Sequence, residues 1–221
     1  MSFEEITKRY KKDGFTRISW NNYEKVLQVL LEKIKGYLKE DNEKIDIVVP
    51  ILRGGAFPGT YLAYKLNQIR IAPVQYKYFI DKGKIELRRM LVMPKDLSLP
   101  EKPVILLVEN NHCFGLTATT AAKDIKEKFP KAKILYAADF MDYSYQKNEY
   151  ADVILYGKLN NDTKTLSEKE ALKKGLDTPS TLFPWEIEEE EWATVEVKKF
   201  NYKDAITAKK TSESSAELTE E

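Results

Sequence analysis

Two segments of the chain place glycine beside charged or hydroxyl side chains directly after an apolar run. One is Pro50-Ile-Leu-Arg-Gly-Gly55, and the other is Val108-Glu-Asn-Asn-His-Cys-Phe-Gly-Leu-Thr117. A turn that leads into a helix N-terminus offers free backbone N–H groups and the positive end of the helix dipole, which suit phosphate. Gly115 permits close backbone approach, and Thr117 adds a hydroxyl. The pattern indicates a phosphate site, although glycines that follow strands also serve simply as turns.

Short apolar runs alternate with helical patterns along the chain. Strands are predicted over 45–52, 104–108, 133–140 and 151–156, and helices over 22–39, 57–66 and 117–129. Segments 71–80 and 85–93 predict a hairpin that turns at Asp81-Lys82-Gly83. We therefore expect an α/β fold with a parallel sheet flanked by helices. Both glycine segments would open at the carboxyl edge of that sheet, where such folds bind ligands.

The amino-acid composition limits the classes of protein to which this chain can belong. The 221 residues carry 36 basic and 35 acidic side chains, a net charge of +1, and 43% are hydrophobic. This balance predicts a globular domain with no general attraction for nucleic acid. Cys113 is the single cysteine, which excludes an intramolecular disulfide and a cysteine-built zinc site. No apolar run reaches the ~18 residues of a membrane span, and the start lacks a signal-peptide pattern, so we expect a cytoplasmic protein.

Residues 104–117 resemble the motif with which type I phosphoribosyltransferases bind 5-phosphoribosyl 1-diphosphate (PRPP). The apolar run, Glu109, Gly115 and Thr117 match the motif. Asn110 replaces the second acid, and Cys113-Phe114 stand where small or hydroxyl residues are usual. The segment is thus similar to the motif in a degenerate form.

Three further segments resemble the microbial purine (xanthine, guanine, hypoxanthine) branch of this family, in the family's order. They are Ser19-Trp20, Leu52-Arg53-Gly54-Gly55 and Phe183-Pro184-Trp185-Glu186, so the resemblance covers about residues 15–190. It implies a Rossmann-like parallel sheet with a small hood subdomain and a mobile β-hairpin loop. A phosphoribosyltransferase-like domain is expected over 1–200, with its hood at about 141–200 plus the N-terminal segment. A polar, flexible tail is expected over 201–221.

The resemblance also implies a role for each motif residue. The ribose 5-phosphate would be held by Cys113, Phe114, Gly115, Leu116 and Thr117, and the pyrophosphate by Leu52, Arg53, Gly54 and Gly55. Glu109 and Asn110 would occupy the catalytic positions under the ribose hydroxyls. The Leu52–Arg53 peptide is expected to be cis. Mg²⁺ would arrive with the ligand, and Glu109 is its candidate protein contact.

The predicted hairpin 78–93 resembles the family's mobile loop. Its cationic residues Lys82, Lys84, Arg88 and Arg89 would screen the pyrophosphate when the loop closes. The alternative is an ordinary solvated hairpin.

The base-binding hood departs most from the family pattern. Ser180 stands where an aromatic residue stacks on the base, and about residues 158–179 form an insertion. The candidate base-binding residues are Ser144 or Lys147, as the purine-reading polar group, together with Phe183 and Trp185. The alternative for Phe183 and Trp185 is an aromatic corner packed into the core. His112 and Cys113 are candidates for general-base or nucleophilic chemistry, against an incidental position in the loop. Residues 188–191 predict a solvated charge run.

Three functions remain open at this stage. The first is transfer of the phosphoribosyl group from PRPP to a purine-like nucleobase, with release of pyrophosphate and with Mg²⁺. The second is a catalytically impaired protein of this fold that binds PRPP or a nucleotide in a regulatory role, which Asn110, Phe114 and the altered hood favour. The third is a different phosphate-ester enzyme on a similar scaffold. The family resemblance implies a homodimer.

Overall fold

The computed structural model describes residues 3–81, 84–94 and 96–192. Its helices are α1 (Phe3–Asp13), α2 (Trp20–Glu40), α3 (Ala56–Lys65), α4 (Leu116–Lys128) and α5 (Glu168–Lys173). Its strands are β1 (Phe15–Arg17), β2 (Ile47–Leu52), β3 (Val74–Asp81), β4 (Lys84–Leu91), β5 (Val104–His112), β6 (Lys133–Asp142), β7 (Val153–Asn160) and β8 (Ser180–Leu182). The predicted tail at 201–221 lies outside the described residues, as do residues 193–200 of the predicted domain.

Six strands form one sheet in the order β4-β3-β2-β5-β6-β7. Neighbouring strands are parallel except for the hairpin partners β3 and β4. This arrangement confirms the predicted parallel α/β fold. The next two strands along the chain, β3 and β4, extend the sheet on one side of β2, and the last three, β5, β6 and β7, extend it on the other side. The strand order therefore reverses between β2 and β5. A crevice at such a reversal is the expected ligand site of an open α/β sheet.

The sheet is buried on both faces, which explains why its central strands read as continuous apolar runs. One face packs against α4, where Ala118, Ala121 and Ala122 let the helix approach closely. The other face packs against α2 and α3, through residues such as Leu30 and Leu62. Ser19 caps the N-terminus of α2, because its hydroxyl accepts a hydrogen bond from Asn22 N at 3.3 Å.

A second sheet of two short parallel strands joins the two ends of the described chain. Phe15 of β1 pairs with Ser180 of β8, and Arg17 pairs with Leu182. Neither strand was predicted, because three residues are too few to show a period and their partners are far apart in sequence. Within the described ranges, no helix has the length and apolarity needed to cross a bilayer.

Gly55 occupies the tightest backbone contact of the fold. A Cβ atom there would overlap the carbonyl oxygens of Val108 and Ile51, which are fixed in strands. Gly55→Ala is therefore expected to lower the free energy of unfolding by about 1–3 kcal/mol, as overpacking does. The control is Gly36→Ala on the exposed face of α2, where nothing lies within 4 Å of the added carbon. It should raise stability by ~0.5–1 kcal/mol.

Urea denaturation of both variants measures the difference. Equal effects at the two glycines would contradict the close approach of the β2–α3 turn to β5.

Candidate functional site

The two glycine segments meet because β2 and β5 are parallel neighbours. Pro50 pairs with Val108, so the turns that follow the two strands open side by side at the carboxyl edge of the sheet. A cavity of about 530 Å³ lies between them. Its lining is Leu52, Arg53, Gln75, Tyr76, Lys77, Tyr78, Glu109, Asn110, Asn111, Cys113, Phe114, Gly115, Leu116, Thr117, Glu186 and Glu191.

The turn after β2 lies directly against the end of β5. The Leu52–Arg53 peptide is cis, as the resemblance implied. A Cβ atom at Gly54 would overlap the side-chain amide of Asn110. Glycine is required at position 54 because the Asn110 side chain occupies that space. The predicted pyrophosphate turn and the predicted catalytic position are therefore in contact.

The turn after β5 presents a helix N-terminus to the cavity. Gly115 has a φ of 76°, a left-handed conformation that favours glycine, and α4 begins at the next residue. No side chain of the described chain caps this helix, so its first N–H groups are available to an anion. Thr117 Oγ1 donates a hydrogen bond to Tyr78 Oη at 3.2 Å. The loop has the geometry of a phosphate cradle.

A chain of hydrogen bonds links Glu109, Tyr136 and His112 beneath the cavity. Tyr136 Oη lies 3.0 Å from Glu109 Oε2 and 2.9 Å from His112 Nδ1. On the other side of the ring, His112 Nε2 lies 2.7 Å from the carbonyl oxygen of Tyr145. A carbonyl oxygen only accepts, so Nε2 carries the hydrogen. Burial lowers the pKa of His112 to about 4, and Nδ1 of the neutral ring is therefore an acceptor.

Tyr136 has one hydroxyl hydrogen for two acceptors. If Glu109 is ionised, either its carboxylate or His112 Nδ1 lacks a donor. If Glu109 is protonated, it donates to Tyr136, which donates to His112, and every group is satisfied. Burial likewise raises the pKa of Glu109 to about 7. The network thus favours a neutral Glu109 when the cavity holds no cation.

His112 has a structural position in the loop. Its ring is fully buried, and a Cβ atom at Gly115 would overlap it. Cys113 and Phe114 do line the cavity, and the Phe114 ring packs edge-on against Tyr145 with their centroids 4.9 Å apart. Phe114 therefore narrows the cradle on the Tyr145 side.

Three solved structures share this architecture. A purine phosphoribosyltransferase from Pyrococcus horikoshii superposes with a TM-score of 0.54 at 18% identity, over 78% of this chain and 95% of its own. A hypothetical protein from Neisseria gonorrhoeae with bound ppGpp has a TM-score of 0.60 at 15% identity, over 83% and 96%. A Helicobacter pylori xanthine-guanine-hypoxanthine phosphoribosyltransferase has a TM-score of 0.52 at 16% identity, over 81% and 99%.

The chain has the type I phosphoribosyltransferase fold. No protein-family model matches the sequence, and no curated protein does. At these identities the similarity to solved structures establishes the fold alone.

Arg88 and Arg89, two of the hairpin residues predicted to screen the pyrophosphate, make contacts outside the cavity lining. Arg89 binds Asp124 of α4 through two hydrogen bonds, of 2.6 and 2.7 Å. Arg88 pairs with Glu86 at 2.8 Å on the same strand. Lys84 begins β4, and Lys82 lies outside the described residues. A role for this group in screening pyrophosphate stays a prediction.

The predicted base-binding residues do not gather at the cavity. Phe183 is buried among Tyr23 and Phe140, and its ring stacks on Trp185 with their centroids 5.2 Å apart. Ser144 and Lys147 lie in the loop that follows β6, and neither they nor Phe183 and Trp185 are among the described residues that line the cavity. The location of a base site stays a prediction.

Sequence reasoning missed the acidic side of the site. Glu186 and Glu191 line the cavity, and Glu190 pairs with Arg53 at 3.4 Å. Arg17 fixes this segment, because its guanidinium donates to the carbonyl oxygens of Phe183 and Glu186 at 3.1 and 2.9 Å. The run 188–191 was interpreted as solvated, and nothing in its composition predicts a contact with Arg53.

The donor set allows a metal only as part of a ligand complex. The described residues include no group of three or more His, Cys, Asp or Glu side chains that could hold an ion. Mg²⁺ often binds through one or two carboxylates together with phosphate oxygens. Glu109 offers one carboxylate and Asn110 an amide oxygen to the cavity. The residues therefore fit Mg²⁺ that a phosphorylated ligand brings, provided that Glu109 gives up its proton.

Glu109→Gln tests the proton on Glu109. The pKa of Glu109 rises from 4.5 to about 7 on folding, so its contribution to stability is fully present below pH 4.5 and is lost as the pH rises through about 7. Glutamine mimics the neutral acid and cannot ionise. The stability of the variant minus that of the wild type should therefore increase between pH 4.5 and 7 and then level off. Because the Glu109 carboxyl faces the cavity and is not enclosed by protein on that side, the effect of burial is reduced. We expect the stability difference between variant and wild type to increase by about 1 kcal/mol.

Melting temperatures across this pH range measure the effect, and Glu188→Gln is the control for a lost surface charge. A difference that does not change with pH would contradict a protonated Glu109.

Proposed function

We propose that the cavity binds PRPP and that the protein transfers its phosphoribosyl group to a purine-like base, with release of pyrophosphate. The observation that carries the proposal is the pairing of two phosphate sites on adjacent strands. The uncapped N-terminus of α4 follows one strand, and the Arg53-Gly54 turn follows the other. Both turns line one cavity, as a ligand with a phosphate at one end of a ribose and a diphosphate at the other requires. Two structural neighbours are a purine phosphoribosyltransferase and a xanthine-guanine-hypoxanthine phosphoribosyltransferase, which supports a purine-like acceptor.

The residues would act mainly by position and charge. The turn 113–117 would hold the 5-phosphate, and Thr117 would exchange its hydrogen bond with Tyr78 for one with the phosphate. Glu109 and Asn110 would contact the ribose hydroxyls, and Arg53 would stabilise the negative charge that builds on the departing diphosphate. Bound Mg²⁺ would supply further neutralisation of that charge. The cavity walls would hold the base nitrogen in line with C1 of the ribose.

A second candidate is a protein that binds PRPP or a nucleotide without turnover. Three observations favour it. Asn110 cannot act as a base or attract a cation by charge. Burial raises the pKa of Glu109 to about 7, so a part of the protein carries a neutral Glu109 at neutral pH. Phe114 places a large ring in the phosphate turn. The gonococcal neighbour was solved with ppGpp, a nucleotide that carries two diphosphates, and this supports a nucleotide as the ligand of the second candidate.

One assay separates the two candidates. Protein, PRPP, Mg²⁺ and a panel of purine bases are mixed, and pyrophosphate release is followed, with PRPP affinity measured in parallel by calorimetry. Turnover with at least one base supports the transferase. Binding of PRPP without turnover supports the second candidate, and no binding of PRPP or of a purine nucleotide would reject both.

Asn110→Asp restores the second carboxylate. If Asn110 limits catalysis, the variant should raise pyrophosphate release by roughly tenfold or more, in the range that a positioned acid–base group contributes. Asn148→Asp is the control, because Asn148 is likewise a buried asparagine and is not among the described residues that line the cavity. Equal rates of pyrophosphate release in the wild type and in Asn110→Asp would show that the Asn110 amide does not limit catalysis.

Glu190→Gln tests whether Arg53 belongs to the diphosphate site. The Glu190 carboxylate competes with an anion for the guanidinium, so its removal should tighten the binding of inorganic diphosphate. Exposed ion pairs contribute ~0.2–1 kcal/mol, which corresponds to about 1.4- to 5-fold in affinity. Glu188→Gln removes the same charge from the same segment and should change affinity less. Identical affinities in the two variants would place the diphosphate away from Arg53.

A further inference from the structure

The insertion at about residues 158–179 begins with a segment of buried polar side chains. The sheet and its flanking helices do not require this segment. Residues 160–164 comprise the last residue of β7 and the four that follow it, and each is at most 7% exposed. They are Asn160, Asn161, Asp162, Thr163 and Lys164. Buried polar groups need partners, so a run of five indicates a specific set of contacts.

The first contacts of this segment are with the wall of the cavity. Asn111 Nδ2 donates to Asp162 Oδ2 at 3.0 Å, and Asn111 Oδ1 accepts from Asn160 Nδ2 at 3.2 Å. Asn160 Oδ1 in turn accepts from Asp162 N at 3.3 Å. The side-chain amide of Asn111 is therefore held at both ends by the insertion.

The segment is also fixed from the opposite side by α1. The hydroxyl of Tyr10 donates to the carbonyl oxygen of Asp162, and Lys164 Nζ lies 3.5 Å from Asp13 Oδ2. Arg9 donates to the carbonyl oxygens of Lys164 and Leu166. The insertion thus links the N-terminal helix to the end of β5.

Position 111 controls both halves of the site. Asn110, before it, packs on Gly54 of the pyrophosphate turn, and His112, after it, packs on Gly115 of the phosphate turn. A shift of Asn111 would therefore move the two turns relative to each other.

We propose that Asp162 is a positioning residue that acts through Asn111 to set the geometry of the phosphate turn. The inference deepens the proposed function, because it gives the insertion a role in ligand binding at the same cavity. The charge of the Asp162 carboxylate makes its hydrogen bond with the Asn111 amide strong and directional.

Exchanging the two side chains provides the test. Asn111→Asp alone sets two carboxylates against each other, and Asp162→Asn alone removes the charge that orients the amide. In the double variant the amide stands at 162 and the carboxylate at 111, so the hydrogen bond re-forms in the reverse direction. We expect Asn111→Asp to weaken ribose 5-phosphate binding by roughly tenfold, Asp162→Asn to weaken it less, and the double variant to bind within about threefold of the wild type.

Asp177→Asn is the matched control, because it removes the ion pair with Lys158 from the same insertion and leaves the contacts of Asp162 and Asn111 in place. It should not change the affinity for ribose 5-phosphate. A double variant no better than Asn111→Asp, or an Asp177→Asn that loses affinity as much as Asn111→Asp does, would overturn the positioning role.

A second measurement keeps this test apart from that of the proposed function. The backbone amide resonances of residues 113–117 in the ligand-free protein should shift in Asn111→Asp and return in the double variant. If they shift and return while no protein binds ribose 5-phosphate or PRPP, the positioning role stands and the proposed function fails. Resonances that do not return in the double variant would overturn the inference, whatever the protein binds.

Discussion

The site depends on the close approach of the β2–α3 turn to the carboxyl end of β5. Gly55 rests on backbone oxygens, and Gly54 rests on the amide of Asn110, with no room at either place for a Cβ atom. Because β2 and β5 are parallel and in register, this contact brings the guanidinium-bearing turn beside the turn that begins α4. The rest of the cavity is built around that pair of turns.

Asn110, which departs from the PRPP motif, and the two polar residues that follow it have structural partners. Asn110 packs on Gly54, Asn111 binds the insertion, and His112 packs on Gly115 and bonds Tyr136 and Tyr145. Asn110 contacts the turn after β2, and Asn111 contacts the insertion. His112 instead contacts the turn after β5. The end of β5 therefore contacts both turns of the site and the insertion.

The sequence predicted the sheet and the two turns because their signals are local. Apolar runs and the glycine patterns at 54–55 and 115 each lie within about ten residues. The β1–β8 pairing, the Arg53–Glu190 contact and the Asp162–Asn111 bond join residues 51 to 165 positions apart, and no periodicity reports such contacts. Arg88 and Arg89 illustrate the same limit, since their charge was visible but their partners, Glu86 and Asp124, were not.

The bond between Arg89 and Asp124 has a mechanical consequence for the hairpin. Tyr76 donates to the same carboxylate at 2.9 Å, so both strands of the hairpin are fastened to one point on α4. Asp124 lies on the helix whose N-terminus forms the phosphate cradle. Tyr78, two residues further along β3, accepts a hydrogen bond from Thr117 in the first turn of the same helix, so the hairpin is held to α4 at two points.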